Sequence, residues 1–565
     1  MNSKKNISKV KLNFNLVLFF ALLLLPTKTI FSQGIGDIIV IPVQVDPDQT
    51  VKSFEKINDR PEVIDSSKRI ENITYNITSK AFKTYYQPSP INSAKMANEP
   101  LSKLYRMLIK GGYGNYNMPY GELHFNNLRN KEYAFGVNLK HLSSNWQLED
   151  RGYSGFSDNE LYLNGKKFLK TQTLSANLNY MRNVIRFYGY TPNPEEKSDS
   201  NIEKQTFNFI ESKINLTSHL PDSSKLNHSF NLNFHYMNDS YKMNELFVGG
   251  NGLLKSNIKG EKLNVMTGLE YYNNRMDSDT ISNIIFRLMP YFEAGGKKWK
   301  ADLGLLAVID QYTDSTPKFN FYPRINFYYD VYKSIIIPYA GLGGDLKKNS
   351  FRSLTQENPF LVSDPQFKNT SYNLEIFGGL RGSLSSKTNY DVSANYKKVT
   401  DLPLYVIDYN LQRGNRFKVV FDEGSILNFN AQIKYSHKEK LNITASGGYY
   451  MYTLKNNQYA WHRPTADVKL SANYNIRSKI ITKLDVYYIS NQWALRTTNY
   501  SGGSVTGPVN LKGIADVNFG MEYRYSKFLS AFVNFNNIAN FRYYRWDNYP
   551  TQRFNFLLGF SFIPF

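Results

Sequence analysis

The chain has 565 residues, 68 Lys and Arg against 47 Asp and Glu for a net charge of +21, and no cysteine. The missing cysteine excludes disulfides and thiolate metal sites. With 43 Tyr and 38 Phe the mean hydropathy is still only −0.46, a balance that suits strands apolar on one face and polar on the other.

Residues 1–32 read as a secretory signal peptide. Lys4, Lys5, Lys9 and Lys11 form a basic start, and Leu16 to Leu25 is an apolar run too short to span a bilayer as a helix. Cleavage is expected after Ser32. No later segment approaches 18 consecutive apolar residues, so any membrane crossing must be made of strands. Residues 33–104 open on the β-prone run Asp37–Val45 and then turn polar, with Pro47, Pro61, Pro88 and Pro90 as breakers. Their sparse apolar content predicts a mostly irregular periplasmic or lumen-tucked segment rather than a compact domain.

From Tyr105 onward the pattern becomes a long series of alternations. Leu174, Ala176, Leu178 and Tyr180 alternate with Ser175, Asn177 and Asn179. Phe230, Leu232, Phe234 and Tyr236 alternate with Asn231, Asn233 and His235, and Leu427 to Tyr435, Ala466 to Tyr474 and Val517 to Tyr525 behave alike. The closing stretch does the same through Phe554, Phe556, Leu558, Phe560 and Phe562. A period of two puts each apolar set on one face of a strand. Alternation alone leaves a soluble sandwich open, since both classes bury or expose one face. Aromatics at strand ends, the unbroken length of the series and the signal ahead of it favour a barrel. Short turns at Pro221–Ser224, Tyr329–Val331 and His437–Glu439 contrast with long polar connections at Ser143–Ser157, Thr191–Lys204, Leu346–Thr370, Leu454–Pro464 and Asn499–Asn510, the asymmetry known from outer-membrane barrels. Residues 105–565 are therefore expected to form an all-β, transmembrane antiparallel β-barrel of about 20–22 strands, an even number.

From about Asp516 the sequence resembles the barrels of TonB-dependent receptors. Phe532-Val533-Asn534-Phe535-Asn536-Asn537-Ile538 looks like their penultimate strand, and Arg542-Tyr543-Tyr544-Arg545-Trp546 with Tyr549-Pro550 looks like the connection that follows. Leu558 to Phe562 looks like the closing strand. The resemblance implies an outer-membrane barrel inserted by the barrel assembly machinery. Those receptors carry a glycine-rich plug domain of well over a hundred residues, whereas residues 33–104 hold no such run; the chain thus resembles a plug-lacking relative. Asp37, Ile38, Ile39, Val40, Ile41, Pro42 and Val43 resemble the short box that contacts TonB.

Chemistry is sparse by comparison. The seven histidines are dispersed without metal-ligand spacing. Asp46-Pro47-Asp48 offers two carboxylates and no glycine-punctuated acidic loop. Ser471 and His235 have no motif to tie them to one another, so no enzyme and no cofactor is expected. The lysines are scattered rather than clustered, which leaves no nucleic-acid patch; they reflect composition or a lumen that favours anions. His235 falls on the polar strand face. Tyr450, Tyr459 and Trp461 are candidate loop contacts, an interfacial girdle being the structural alternative. Arg463, Lys469 and Arg496 are candidate luminal cations. The function expected is transport of a solute across the outer membrane by a barrel set in outer-membrane lipid, with TonB or a surface lipoprotein as partner; the alternative is a structural or scaffold barrel of an envelope complex, partnering a lipoprotein or a separate plug.

Overall fold

The computed structural model describes residues 104–192, 203–220, 226–258, 261–277, 279–411, 413–438, 440–500 and 503–564. The signal peptide expected at 1–32, nearly all of the 33–104 segment including Asp37–Val43, and Phe565 lie outside them.

The strands in chain order are β1 (Met107–Gly114), β2 (Met118–Asn126), β3 (Tyr133–Ser144), β4 (Phe156–Phe168), β5 (Gln172–Arg186), β6 (Lys204–Ser218), β7 (Asn227–Asn238), β8 (Met243–Ile258) and β9 (Glu261–Met276). There follow β10 (Asp279–Gly295), β11 (Trp299–Tyr312), β12 (Lys318–Tyr329), β13 (Ile337–Lys347), the short helix α1 (Phe351–Glu357), β14 (Thr370–Ser385), β15 (Thr388–Ile407), β16 (Phe417–His437) and β17 (Leu441–Leu454). The last are β18 (Ala466–Ile476), β19 (Ile480–Ile489), β20 (Gln492–Tyr500), β21 (Gly503–Leu511), β22 (Ile514–Arg524), β23 (Leu529–Asn536), β24 (Tyr544–Trp546), β25 (Tyr549–Pro550) and β26 (Asn555–Phe562).

Twenty-two of these form one antiparallel sheet, each pairing with its neighbour in sequence. The hairpins β20–β21 and β24–β25 stand apart from it, so β19 pairs with β22 and β23 with β26. The ring closes where β26 pairs with β1, from Ile109 opposite Phe562 to Gly114 opposite Leu557. The approach there is close: a Cβ on Gly559 would fall 2.3 Å from the Gly111 carbonyl oxygen.

Which face is buried separates barrel from sandwich. In a sandwich the apolar face is the hidden one. Here Leu174, Leu178, Phe230, Leu232, Phe234, Val392, Phe429, Val468, Leu558 and Phe560 are all exposed, while His235, between two exposed aromatics, is buried. A belt of large apolar side chains around a closed ring is a surface that only lipid can cover. Among the described residues no helix is long and apolar enough to cross a membrane; the strands do so, each hydrogen-bonded to a neighbour on both sides round the closed ring.

The two ends of the barrel differ. The turns at 169–171, 296–298, 386–387 and 477–479 lie at one end, which also holds the start of β1 and the end of β26. Arg477 and Ser478 make one such turn with φ of 52° and 57°, the left-handed pair that suits the twist of a tight hairpin. The described residues of the connections 145–155, 187–203, 348–369, 408–416, 455–465, 490–513 and 537–554 lie at the other. The long connections expected from the sequence fall at one end, which also carries the short turns at 115–117 and 239–242, while the turn expected at Tyr329–Val331 is the seven-residue connection 330–336; the strand number is the upper one expected. The Asn499–Asn510 connection is the β20–β21 hairpin rather than an irregular loop. Strand length rises from 8 residues in β1, β23 and β26 to 20 and 21 in β15 and β16, so the wall is tallest away from the closing seam.

Facing dictates a graded response to charge. Leu232→Arg should cost about 2–4 kcal/mol near mid-membrane, whereas Asn233→Ser on the inner face should stay within about 0.5 kcal/mol. Denaturant unfolding in lipid vesicles measures both; equal costs would contradict the assignment of faces.

Candidate functional site

The long-loop end is built by the tall strands. At Val399–Leu402 the β15–β16 ladder is interrupted by a bulge, with Asp401 at φ 55°, and pairing resumes from Leu402 opposite Asp422 to Ile407 opposite Phe417. Leu402 to Ile407 are buried without exception. Below the bulge one face of the strand meets lipid; above it both faces meet protein. Leu404 and Val406 pack into a core with Val399, Leu402, Ala460 and Trp461. Tyr405 and Ile407 point the other way, into a core with Leu354, Leu361, Phe417, Trp546 and Tyr549. Long loops from separate parts of the ring therefore share two hydrophobic cores, and we call this assembly the cap.

The cap spans the mouth. Asn415, in the β15–β16 connection, donates through Nδ2 to the Phe187 carbonyl at 2.8 Å, and Arg416 Nη2 reaches Glu203 at 2.9 Å and the Tyr241 hydroxyl at 2.7 Å. The step from β6 to β16 is ten strands round a ring of 22, close to a diameter. Tyr549 from the β24–β25 hairpin donates its hydroxyl to the Asn415 carbonyl and stacks on Phe360 at 3.6 Å. Tyr188 donates to the Pro550 carbonyl at 3.1 Å.

Polar relays bind the loops of the cap. Arg496 on β20 grips the fully buried Asp547 with Nε and Nη2, a bidentate, charge-assisted pair. The Asp547 backbone N–H donates to His462 Nε2 at 3.2 Å, and His462 Nδ1 bonds the Tyr405 carbonyl at 2.9 Å. A carbonyl only accepts, so Nδ1 carries the proton and the imidazole is neutral. Burial between Phe417 and Trp546 pushes its pKa down to about 4.

Beneath the cap, the connection between β13 and β14 runs over the inner wall. Lys348 Nζ donates to Asn283 Oδ1 at 2.9 Å and sits over the rings of Tyr272 and Tyr312. Asn369 Nδ2, at the other end of the connection, donates to Asp310 at 2.9 Å. Between them Phe351, fully buried, packs with Phe207, Phe209, Met237 and Met243. Arg352 bonds Glu211 at 3.0 Å over the Phe209 ring. Residues 348–369 thus form a strap across the inner faces of β6 to β11.

The residues singled out in the sequence fall into two groups. Tyr459, Trp461, Arg463 and Arg496 meet in the cap. Tyr459 stacks on Trp493 at 4.3 Å, Trp461 Nε1 donates to Asn457 at 2.8 Å, and Arg463 donates to the Pro403 carbonyl at 2.8 Å beside Glu357. Tyr450 stacks on Tyr452, whose ring packs on the cap. His235 lies on the inner wall of β7, buried, with Nε2 2.9 Å from Glu245. Lys469 faces inward on β18, opposite Ser446 and Tyr487. Ser471, bonded to Asp485, and His235 stand on opposite sides of the ring. Among the described residues no three of His, Asp or Glu are placed to share a metal ion. Sequence reasoning missed Glu245, His462, Asp547 and Phe351. Phe207 and Phe209 carried a signal, being apolar at positions whose phase points inward.

No family profile and no curated protein matches the chain. Solved structures do. It is similar to the FrpB iron transporter from Neisseria meningitidis (TM-score 0.62, 9% identity, covering 82% of this chain and 82% of that one). It is similar to the ferric-catecholate import receptor Fiu from E. coli K12 (0.59, 10%, 81% of each chain). A third likeness is to the pyoverdine outer membrane receptor FpvA from Pseudomonas aeruginosa PAO1 (0.58, 10%, 82% of this chain and 79% of that one). The fold is that of the TonB-dependent receptor barrels.

The His462 relay makes the cap acid-sensitive. The folded pKa lies below the ordinary 6.5, so the unfolded loop binds more protons and cap stability falls as pH drops from 6.5 towards 4. The loss is of the order of 3 kcal/mol at most. Hydrogen exchange at Trp546 and Asp547, corrected for intrinsic rates, should quicken between pH 7 and pH 5, and His462→Gln should flatten that dependence. Exchange independent of pH would refute it.

Proposed function

We propose that this chain is an outer-membrane transport barrel of the TonB-dependent receptor type, carrying a solute through a polar lumen. The observation that carries the reading is the closed ring of 22 strands with an exposed apolar belt and inward-facing Asn, Ser, Tyr and charged residues. A lumen of that size and polarity is not needed for anchoring alone. The similarity in fold to outer-membrane receptors supports the location; a signal peptide at 1–32 would supply the export route. On this reading the barrel assembly machinery inserts the chain, and Asp37–Val43 engages TonB. A surface lipoprotein, resting on the cap, is the second partner proposed.

The bridged mouth gives weight to one other reading, a lumen-filled scaffold in an envelope complex. Uptake assays separate the two. Cells lacking the gene should lose uptake of a solute that the full chain restores and that a chain without Asp37–Val45 does not. Normal uptake in the deletion strain, with a purified barrel that stays sealed to ions in planar bilayers, would select the scaffold.

A further inference from the structure

We propose that the strap, residues 348–369, is the barrel's own gate and that Glu245 is the positioning residue that latches it to the wall. The inference rests on reading the lumen as a passage.

Glu245 faces the lumen from β8 and is fully buried. Its carboxylate is shared between wall and strap. Oε1 meets His235 Nε2 at 2.9 Å and also accepts from the backbone N–H of Arg352 at 3.3 Å, while Oε2 accepts from the backbone N–H of Phe351 at 2.6 Å. These are the first amides of α1, whose own first turn has no acidic residue. The wall therefore supplies the negative charge that the strap's helix lacks at its amide end. A buried carboxylate deprived of such donors is costly, so Glu245 favours the docked strap strongly.

The docking is complete yet separable. Phe351 fills a socket of Phe207, Phe209, Met237 and Met243, residues that face inward where an open lumen would call for polar groups. Lys348 and Asn369 tie the stems to Asn283 and Asp310. Asn349 joins the two stems by bonding the Lys368 carbonyl and Thr370, each at 2.8 Å. None of these contacts is a rung of the barrel ladder: β6 to β11 pair in succession with one another and not with the strap. Release of residues 351–363 would uncover the inner wall, withdraw Leu354 and Leu361 from the cap core and part Leu361 from its bridge to Phe417, so strap and cap open together, without breaking the ring. A socket matched to one side chain, a latch of one carboxylate and stems fixed at both ends describe a gate.

The chain has no cysteine, so a single engineered thiol reports the strap directly. Thr355 lies in α1 and is buried. In full-length protein in lipid vesicles, Thr355→Cys should react slowly with a water-soluble thiol reagent. Adding Glu245→Gln should speed labelling about tenfold or more, the loss of a charge-assisted network, and Phe351→Ala should do likewise. Glu245→Asp should fall between. Heat-modifiable gel mobility checks that each barrel is folded. Labelling that is already fast with Glu245 present, or equally slow in folded Glu245→Gln and Phe351→Ala proteins, overturns the gate. Planar-bilayer conductance of the same variants should rise with labelling. If labelling accelerates and no current flows even when the strap is excised, the latch stands and the transport reading fails.

Discussion

Closure of β26 onto β1 is the interaction on which the rest of the structure depends. A strand in hydrocarbon must satisfy every N–H and C=O within the protein, and an open sheet leaves two edges that cannot do so. Six consecutive pairings from Ile109 to Gly114 remove them, and the glycines there let two short strands approach. Once the ring is closed, facing follows from the period of two: apolar side chains meet lipid and their neighbours line the lumen.

The same ring explains why the cap exists. Strands β15 and β16 are more than twice as long as those at the seam, and their upper third stands clear of lipid. Freed from the membrane, that ribbon obeys the ordinary rule of soluble proteins and buries both faces. It collects Trp546 and Tyr549 from one distant loop, Trp461 from another and Leu354 and Leu361 from the strap. The mouth is bridged because each loop needs the others to cover its apolar side chains.

The architecture was legible because it is periodic. Alternation at Phe230–Tyr236, Leu427–Tyr435 and Phe554–Phe562 encodes strand and facing together, and the polar Asn499–Asn510 stretch misleads only about its internal pairing. The strap and cap were less legible because they depend on contacts between residues far apart in the sequence, those of Asn415 and Arg416 reaching ten strands round the ring. Traces remained. Leu402-Pro403-Leu404-Tyr405-Val406-Ile407 is a continuous apolar run, as a strand buried on both faces requires, and Phe207 and Phe209 break the phase that Ile210 and Ile214 keep. Glu245 left no trace, since a carboxylate on a luminal face is ordinary. Trp461, Arg463 and Arg496 were noticed for ligand contact, yet their partners are loops of the same chain.

The account holds if the apolar face of each strand looks outward into lipid. Quenching by brominated lipids tests this most directly, using a fluorophore placed singly at each position from Phe230 to Tyr236 in reconstituted protein. The prediction is strong quenching at 230, 232, 234 and 236 and little at 231, 233 and 235. Quenching that is uniform along the strand, or strongest at the odd positions, would contradict the barrel and everything built on it.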